Sequence, residues 1–258
     1  MAAPRPPGPA LRLRQLVPRA QSVTVAELTG SLGLAGLAQT ERPYTVINFI
    51  VSVDGRATFQ GRSGPLGDEA DRALFHALRE QVDAVLAGTG TLRVERYGRL
   101  VRDPERRRRR AESGLSPEPL ASIITRSGDV PTDIPLFAEP ESRVVIFTPT
   151  DLDMSGSAAS VEQVRLDPGE LTLTTMMRRL RSDHDVRSLL CEGGPTVFGA
   201  LLREELVDEL FLTVAPKMVG GGAGPTVASG PELPELQPLT LTWALERNGW
   251  LFLRYRLR

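Results

Sequence analysis

Residues 44–53 carry an almost unbroken run of β-branched and aromatic side chains, Val46, Ile47, Phe49, Ile50 and Val51. That pattern predicts a strand buried on both faces, and the turn Asp54-Gly55 closes it. After the glycine-rich stretch 61–67 the period changes. Ala70, Leu74, Phe75, Leu78 and Val82 fall on one face of a helix, and Asp68, Glu69 and Asp71 stand at its positive N-terminal end. Residues 83–87 form a short apolar run that feeds the turn Gly88-Thr89-Gly90-Thr91 and then a helix. Residues 121–125 and 144–148 predict further buried strands, and the apolar spacing of 171–180 predicts a helix. Residues 186–191 repeat the earlier order, a strand followed by the turn Glu192-Gly193-Gly194-Pro195-Thr196 and a helix over 197–205.

The chain ends in a different grammar. Residues 209–214 predict a strand and 220–224 a mobile glycine loop, after which 239–247 and 250–257 flank Asn248-Gly249, a strong hairpin signal. Residues 99–118, with the run Arg106 to Arg110, show no usable periodicity and read as a surface excursion. Residues 1–40 mix Pro, Gly and Ala with the apolar positions Leu11, Leu13, Leu16 and Val17, and 25–37 has helical hints; this part reads as an N-terminal arm on a single domain, 41–258. The expected fold is α/β, a mixed and mainly parallel sheet with helices on both faces and a C-terminal antiparallel hairpin. In such sheets ligands sit at the carboxyl ends of the strands, where the two glycine turns fall.

Composition narrows the classes. Hydrophobic residues make up 41% of the 258 and charged residues 24%, values of an ordinary globular protein. A net charge of −1 supplies no global field for a phosphate polymer, so no nucleic acid partner is expected and any anion site must be local. Cys191 is the only cysteine, so no intramolecular disulfide can form, and His76 and His184 are too few for a zinc cluster; no metal is expected. With neither an apolar leader nor a membrane-length apolar run, a cytoplasmic location is expected, with no membrane partner. Lys217 is the sole lysine, which argues against a P-loop or a Schiff base.

Candidate chemistry concentrates at the two turns. In Gly88-Thr89-Gly90-Thr91 the glycines let backbone N–H groups approach an anion, and Thr89 and Thr91 add hydroxyls; the alternative is a tight strand-to-helix connection. In Glu192 to Thr196, Pro195 occupies the first helical position and leaves the helix N-terminus open to a ligand, while Glu192 stands at a strand end suited to a substrate hydrogen bond. Two such turns in one sheet suit the anionic regions of a dinucleotide. Neither is a full G-x-G-x-x-G fingerprint. Thr125-Arg126 follows another strand, where an arginine either pairs with a 2′-phosphate and selects NADPH or is merely solvated.

Taken together, Ser52-Val-Asp-Gly55, His76-Ala-Leu-Arg79, Asp83 through Thr91, Glu192-Gly-Gly-Pro-Thr196, and Leu206-Val-Asp-Glu-Leu210 through Ala215-Pro-Lys217 to Gly221 resemble the pyrimidine reductase domain of riboflavin biosynthesis. The resemblance implies a dihydrofolate-reductase-like fold and a homodimer. It implies NADPH with its pyrophosphate at Gly193, Gly194, Pro195, Thr196 and Val197, helped by Thr91 and by backbone near Val51 and Leu66, and with Arg126 near the adenosine end. It further implies that Arg79 and Arg102 meet the substrate's phosphate and that Glu192 contacts the substrate, 5-amino-6-(5-phosphoribosylamino)uracil.

Three departures stand out. The H-x-E and C-x-x-C ligands of a zinc deaminase are absent, so only reduction is expected. Glu95-Arg96-Tyr97 replaces an Asp-Asp-Pro run, and Gly64-Pro65-Leu66-Gly67 replaces a tryptophan-bearing stretch. Hydride transfer to an imine needs a proton donor, for which Asp68, Glu95 and Glu192 are the candidates; Asp68 is also placed to cap a helix. His76 reads as structural, and Arg106 to Arg110 as a solvated run. The alternatives are a dihydrofolate or other pteridine reductase, with Asp68 or Glu95 facing the pterin, and a non-catalytic NADPH-binding protein.

Overall fold

The computed structural model describes residues 11–222 and 224–257. The first ten residues of the expected arm, and Ala223 in the expected mobile loop, lie outside the described residues. In chain order the strands are β1 (Arg12–Val17), β2 (Gln21–Thr24), β3 (Tyr44–Ser52), β4 (Ala84–Leu86), β5 (Leu120–Ile124), β6 (Arg143–Thr148), β7 (Ser160–Arg165), β8 (Ser188–Cys191), β9 (Glu209–Ala215), β10 (Leu239–Arg247) and β11 (Trp250–Leu257). The helices are α1 (Val25–Thr29), α2 (Glu69–Glu80), α3 (Thr89–Glu95), α4 (Pro104–Glu112), α5 (Pro135–Ala138), α6 (Leu173–Asp183) and α7 (Pro195–Arg203).

All the strands join one sheet in the order β2-β1-β10-β11-β9-β3-β8-β4-β5-β6-β7. From β9 to β7 neighbouring strands run parallel, and from β9 through β11, β10 and β1 to β2 they run antiparallel. The pleat sends alternate residues to opposite faces. Val46, Val85, Leu190 and Ile146 join one core with Leu74 and Leu78 of α2, while Ile47, Leu86, Cys191 and Phe147 join a second with Met176, Leu180 and Phe198 of α6 and α7. Helices on both faces explain why the parallel strands are apolar without alternation. Because β8 enters between β3 and β4, the turns that follow β4 and β8 end up on adjacent strands.

Three segments depart from the sequence reading. Residues 12–24 of the arm are strands of the main sheet: β1 pairs with β10, and Leu13 and Val23 are buried. The segment 99–118 contains the helix α4, opened by the Asp103 cap and Pro104 at its first position. Its run of arginines is not uniformly solvated, for Arg110 is fully buried and donates to the carbonyls of Arg79, Glu80 and Val82 at 2.7, 3.1 and 2.8 Å. It thereby satisfies the acceptors left at the C-terminus of α2. Strand β7 had no counterpart in the expected elements.

Candidate active site

A cavity of about 1150 Å³ opens at the carboxyl ends of the parallel strands. Its floor is the pair of glycine turns, joined by a bond from the Gly88 N–H to the Gly193 carbonyl at 2.8 Å. Helix α7 begins at Gly194 with no side-chain cap and Pro195 in its first turn, so the amides of Thr196 and Val197, both lining the cavity, have no partner within the helix. The glycines keep the floor low. A Cβ on Gly88 would stand 3.0 Å from Val197 Cγ2, and one on Gly194 3.1 Å from Thr91 Oγ1. Gly193 has φ +112°, a conformation that L side chains rarely adopt, and its bond to Gly194 is cis.

One wall is α2. Asp71, Phe75 and Arg79 recur every four residues, so they share a helix face, and all three line the cavity beside Arg72 and His76. Arg79 is committed within the protein. Its Nε and Nη2 donate to the two oxygens of Glu192 at 2.6 and 2.7 Å, its Nη1 donates to the Leu100 carbonyl at 2.8 Å, and Phe75 stacks on its guanidinium at 4.3 Å. Tyr97 donates its hydroxyl to Glu192 at 2.7 Å. Burial opposes the Arg79 charge, but the Glu192 carboxylate and Tyr97 outweigh it and raise the guanidinium's pKa. Burial first, and the negative Glu192 second, keep the Tyr97 phenol protonated well beyond its ordinary range. Burial also lowers the pKa of His76, helped by the charges of Arg79 and Arg106.

The structure brings together Gly88, Thr89, Thr91, Gly194, Pro195, Thr196 and Val197 with Arg79, Glu95, Arg102 and Glu192 around this one cavity. Arg102 is exposed and forms no ion pair among the described residues, in contrast to Arg79. The expectation that both arginines meet a phosphate therefore changes: the Arg79 donors are taken up by Glu192 and Leu100, and Arg102 is the open one. Glu95 lines the cavity with Oε1 accepting from the Ser63 amide and hydroxyl at 3.1 and 2.9 Å.

Five expected residues lie elsewhere. Asp68 caps α2, accepting from the Asp71 amide at 2.9 Å, and turns toward Arg247 at 3.4 Å rather than into the cavity. Val51 is buried in β3 beside Val214 of β9, and the Leu66 carbonyl is occupied by Lys217 Nζ at 3.1 Å and by Trp250 Nε1 at 3.4 Å. Thr125 is buried, its hydroxyl accepting from the Gly128 amide, while Arg126 is exposed at the end of β5 and does not line the cavity. Two cavity residues escaped the sequence reading. Asp71 looked like one more acid at a helix N-terminus; the only signal for Tyr97 was an aromatic in the Glu95-Arg96-Tyr97 departure.

A reduced dinucleotide fits the floor, because the uncapped amides of α7 and the space left by Gly88 and Gly194 form a cradle that a Cβ would fill.

These features define a protein of the dihydrofolate-reductase-like class, with its cleft at the carboxyl ends of β3, β4 and β8. The model of the RibD C-terminal domain matches residues 43–247, and the chain belongs to that family. It is 28% identical over 191 residues to the 2,5-diamino-6-ribosylamino-4(3H)-pyrimidinone 5′-phosphate reductase of Archaeoglobus fulgidus, covering 73% of this chain and 87% of that protein. It is 30% identical over 185 residues to the riboflavin biosynthesis protein RibD of Mycobacterium tuberculosis, covering 71% of this chain and 45% of that one, so it spans under half of that relative. Among solved structures, a pyrimidine reductase-like protein from Corynebacterium diphtheriae superposes with a TM-score of 0.75 at 24% identity, covering 92% of this chain and 99% of that chain. The riboflavin biosynthesis reductase of Saccharomyces cerevisiae superposes at 0.67 and 19% identity, covering 91% and 99%. Both likenesses concern the fold. No helix among the described residues is long and apolar enough to cross a membrane.

Proposed function

We propose that this protein is an NADPH-dependent reductase of a ribosylaminopyrimidine 5′-phosphate in riboflavin biosynthesis. The observation that carries the reading is the shared cavity, in which two glycine turns on adjacent strands face Arg102, an arginine with no ion-pair partner among the described residues. Relatives named as reductases of 2,5-diamino-6-ribosylamino-4(3H)-pyrimidinone 5′-phosphate support the substrate class.

In this reading the amides of Thr196 and Val197 hold the diphosphate and Thr91 adds a hydroxyl. When bound, the reduced nicotinamide supplies the hydride. Arg102 takes the substrate phosphate as a planar fork. Arg79 and Tyr97 hold the Glu192 carboxyl fixed through three hydrogen bonds, so that it orients the substrate. The enzyme acts as a cytoplasmic homodimer. By strand register the exposed Leu239, Leu241 and Leu251 share one face of the β10–β11 hairpin, which offers a second copy an apolar surface.

The test is oxidation of NADPH in the presence of the diaminopyrimidinone phosphate, of 5-amino-6-(5-phosphoribosylamino)uracil, and of dihydrofolate. Turnover with a phosphorylated pyrimidine is the expected result. Turnover with dihydrofolate alone, toward which Glu95 in the cavity points as a second reading, would overturn the substrate. NADPH binding with no turnover on any of the three would make the protein a binder.

A further inference from the structure

We infer that Asp71 is the acid of this site, the carboxyl that protonates the substrate as its neighbouring carbon is reduced. The inference rests on the reductase reading above.

Among the described residues four carboxyls line the cavity, Asp71, Glu95, Asp103 and Glu192, with Asp68 at the same helix end as Asp71, and of these five all but Asp71 accept from protein donors at 3.1 Å or less. Asp68 caps α2 and faces Arg247. Glu192 accepts three bonds from Arg79 and Tyr97. Glu95 is held by Ser63. Asp103 caps α4, accepting from the Glu105 amide at 2.9 Å. A carboxyl whose oxygens already accept from donors of the protein is held toward those donors rather than toward a substrate.

Asp71 is placed differently. It lines the cavity on the first turn of α2, on the face that carries Phe75 and Arg79, each a further rise of about 6 Å along the axis. Its Oδ2 lies against Gly67, where a Cβ would be 2.7 Å away, and its carboxyl faces the buried Thr213 hydroxyl of β9. Among the described residues it forms no ion pair. Its charged surroundings are Asp68 and Arg72 on its own element, with Arg247 of β10 directed at Asp68 and Glu69; β9 contributes only the Thr213 hydroxyl. Burial is the largest influence, and with Asp68 it raises the pKa of Asp71 against the weaker pull of Thr213 and Arg72. The proton therefore stays on to higher pH than on an ordinary aspartate.

The step balances. A hydride from the reduced nicotinamide adds to the carbon of a C=N bond, whose π electrons move to nitrogen. The Asp71 O–H bond breaks and its proton forms the new N–H. The cofactor loses two electrons, the imine becomes an amine, and water returns a proton to the carboxylate.

The test compares wild-type protein with Asp71→Asn, both saturated with NADPH. The substitution is expected to lower kcat by roughly 10²–10⁴-fold while the NADPH affinity holds, and to remove the alkaline limb of the wild-type profile, with Asp71→Glu restoring part of both. Independently of turnover, the ¹³C carboxyl resonance that disappears in Asp71→Asn is expected to titrate above about 3.9, the ordinary aspartate value. A kcat within about twofold of wild type with an unchanged profile overturns the assignment, since acid catalysis is worth far more. A resonance that titrates at or below the ordinary value also overturns it. Should wild-type protein turn over none of the substrates, the proposed function fails by itself, and Asp71 is judged on that resonance. A high titration that moves when the NADPH complex takes up the pyrimidine phosphate supports it; a resonance indifferent to the pyrimidine refutes it.

Discussion

Arg79 and Glu192 meet through two side-chain bonds of 2.6 and 2.7 Å, and their side chains are only 9% and 1% exposed. A buried pair of this kind is costly to break from one side. Arg79→Ala strands a carboxylate and is predicted to lower stability by about 3–5 kcal/mol in urea denaturation. Because Arg79 acts through Glu192, activity on phosphorylated and unphosphorylated substrates should fall by a similar factor. A loss confined to the phosphorylated one would show direct contact between Arg79 and the phosphate.

Arg102 should behave in the opposite way. Exposed at the cavity and without an ion pair among the described residues, it contributes little to stability. Arg102→Ala is predicted to raise KM for the phosphorylated pyrimidine by roughly 10–100-fold, the worth of a hydrogen-bonded charge, with kcat and the melting temperature nearly unchanged. Steady-state kinetics on the phosphorylated substrate and its dephosphorylated form separate the two roles.

Arg110 is a structural cation. Burial lowers its pKa to about 10, and it still carries its charge near neutrality to three carbonyls at the end of α2. Arg110→Met fills the volume but leaves those carbonyls without donors, at a cost of about 1–3 kcal/mol. The expected signature is early amide exchange at the C-terminal turn of α2, followed by loosening of Arg79.

Asp54 supplies a pH-dependent tie. The Ser52 hydroxyl, at 2.6 Å, and the amides of Gly220 and Val219, at 2.7 and 3.1 Å, lower its pKa to about 2. A depressed folded-state pKa means that the contribution is complete above the unfolded value of about 3.9 and is lost as pH falls through the folded one. The Val219 and Gly220 amide resonances should therefore titrate together near pH 2. In Asp54→Asn that shared titration should vanish.

Much of this architecture was legible where the chain uses strong local signals. The run around Ile47, the turn at Gly88 and the Gly193-Gly194-Pro195 entry to α7 each combine buried apolar residues with a backbone feature that few residues tolerate. Strand β7 was hidden because Val164 is its one fully buried side chain, so no alternation marks it. Helix α4 was hidden because the residue that it buries is Arg110, which a hydrophobic pattern counts as polar. The site shows the same limit. Gly88, Thr91 and Gly194 could be read from turn chemistry, whereas Asp71 differs from Asp68 only in which way a helix turns it. The engagement of Arg79 with Glu192, 113 positions away, is a tertiary fact.

The central claim is that the amides opening α7, above Gly88 and Gly194, seat a dinucleotide. Calorimetric titration of purified protein with NADPH tests it most directly. The account predicts saturable binding at one site, weakened at least ~10-fold in Gly194→Ala, whose Cβ would press on Thr91 Oγ1 from 3.1 Å, a loss of about 1.4 kcal/mol. Heats that never saturate, or an affinity that Gly194→Ala leaves unchanged, would contradict it.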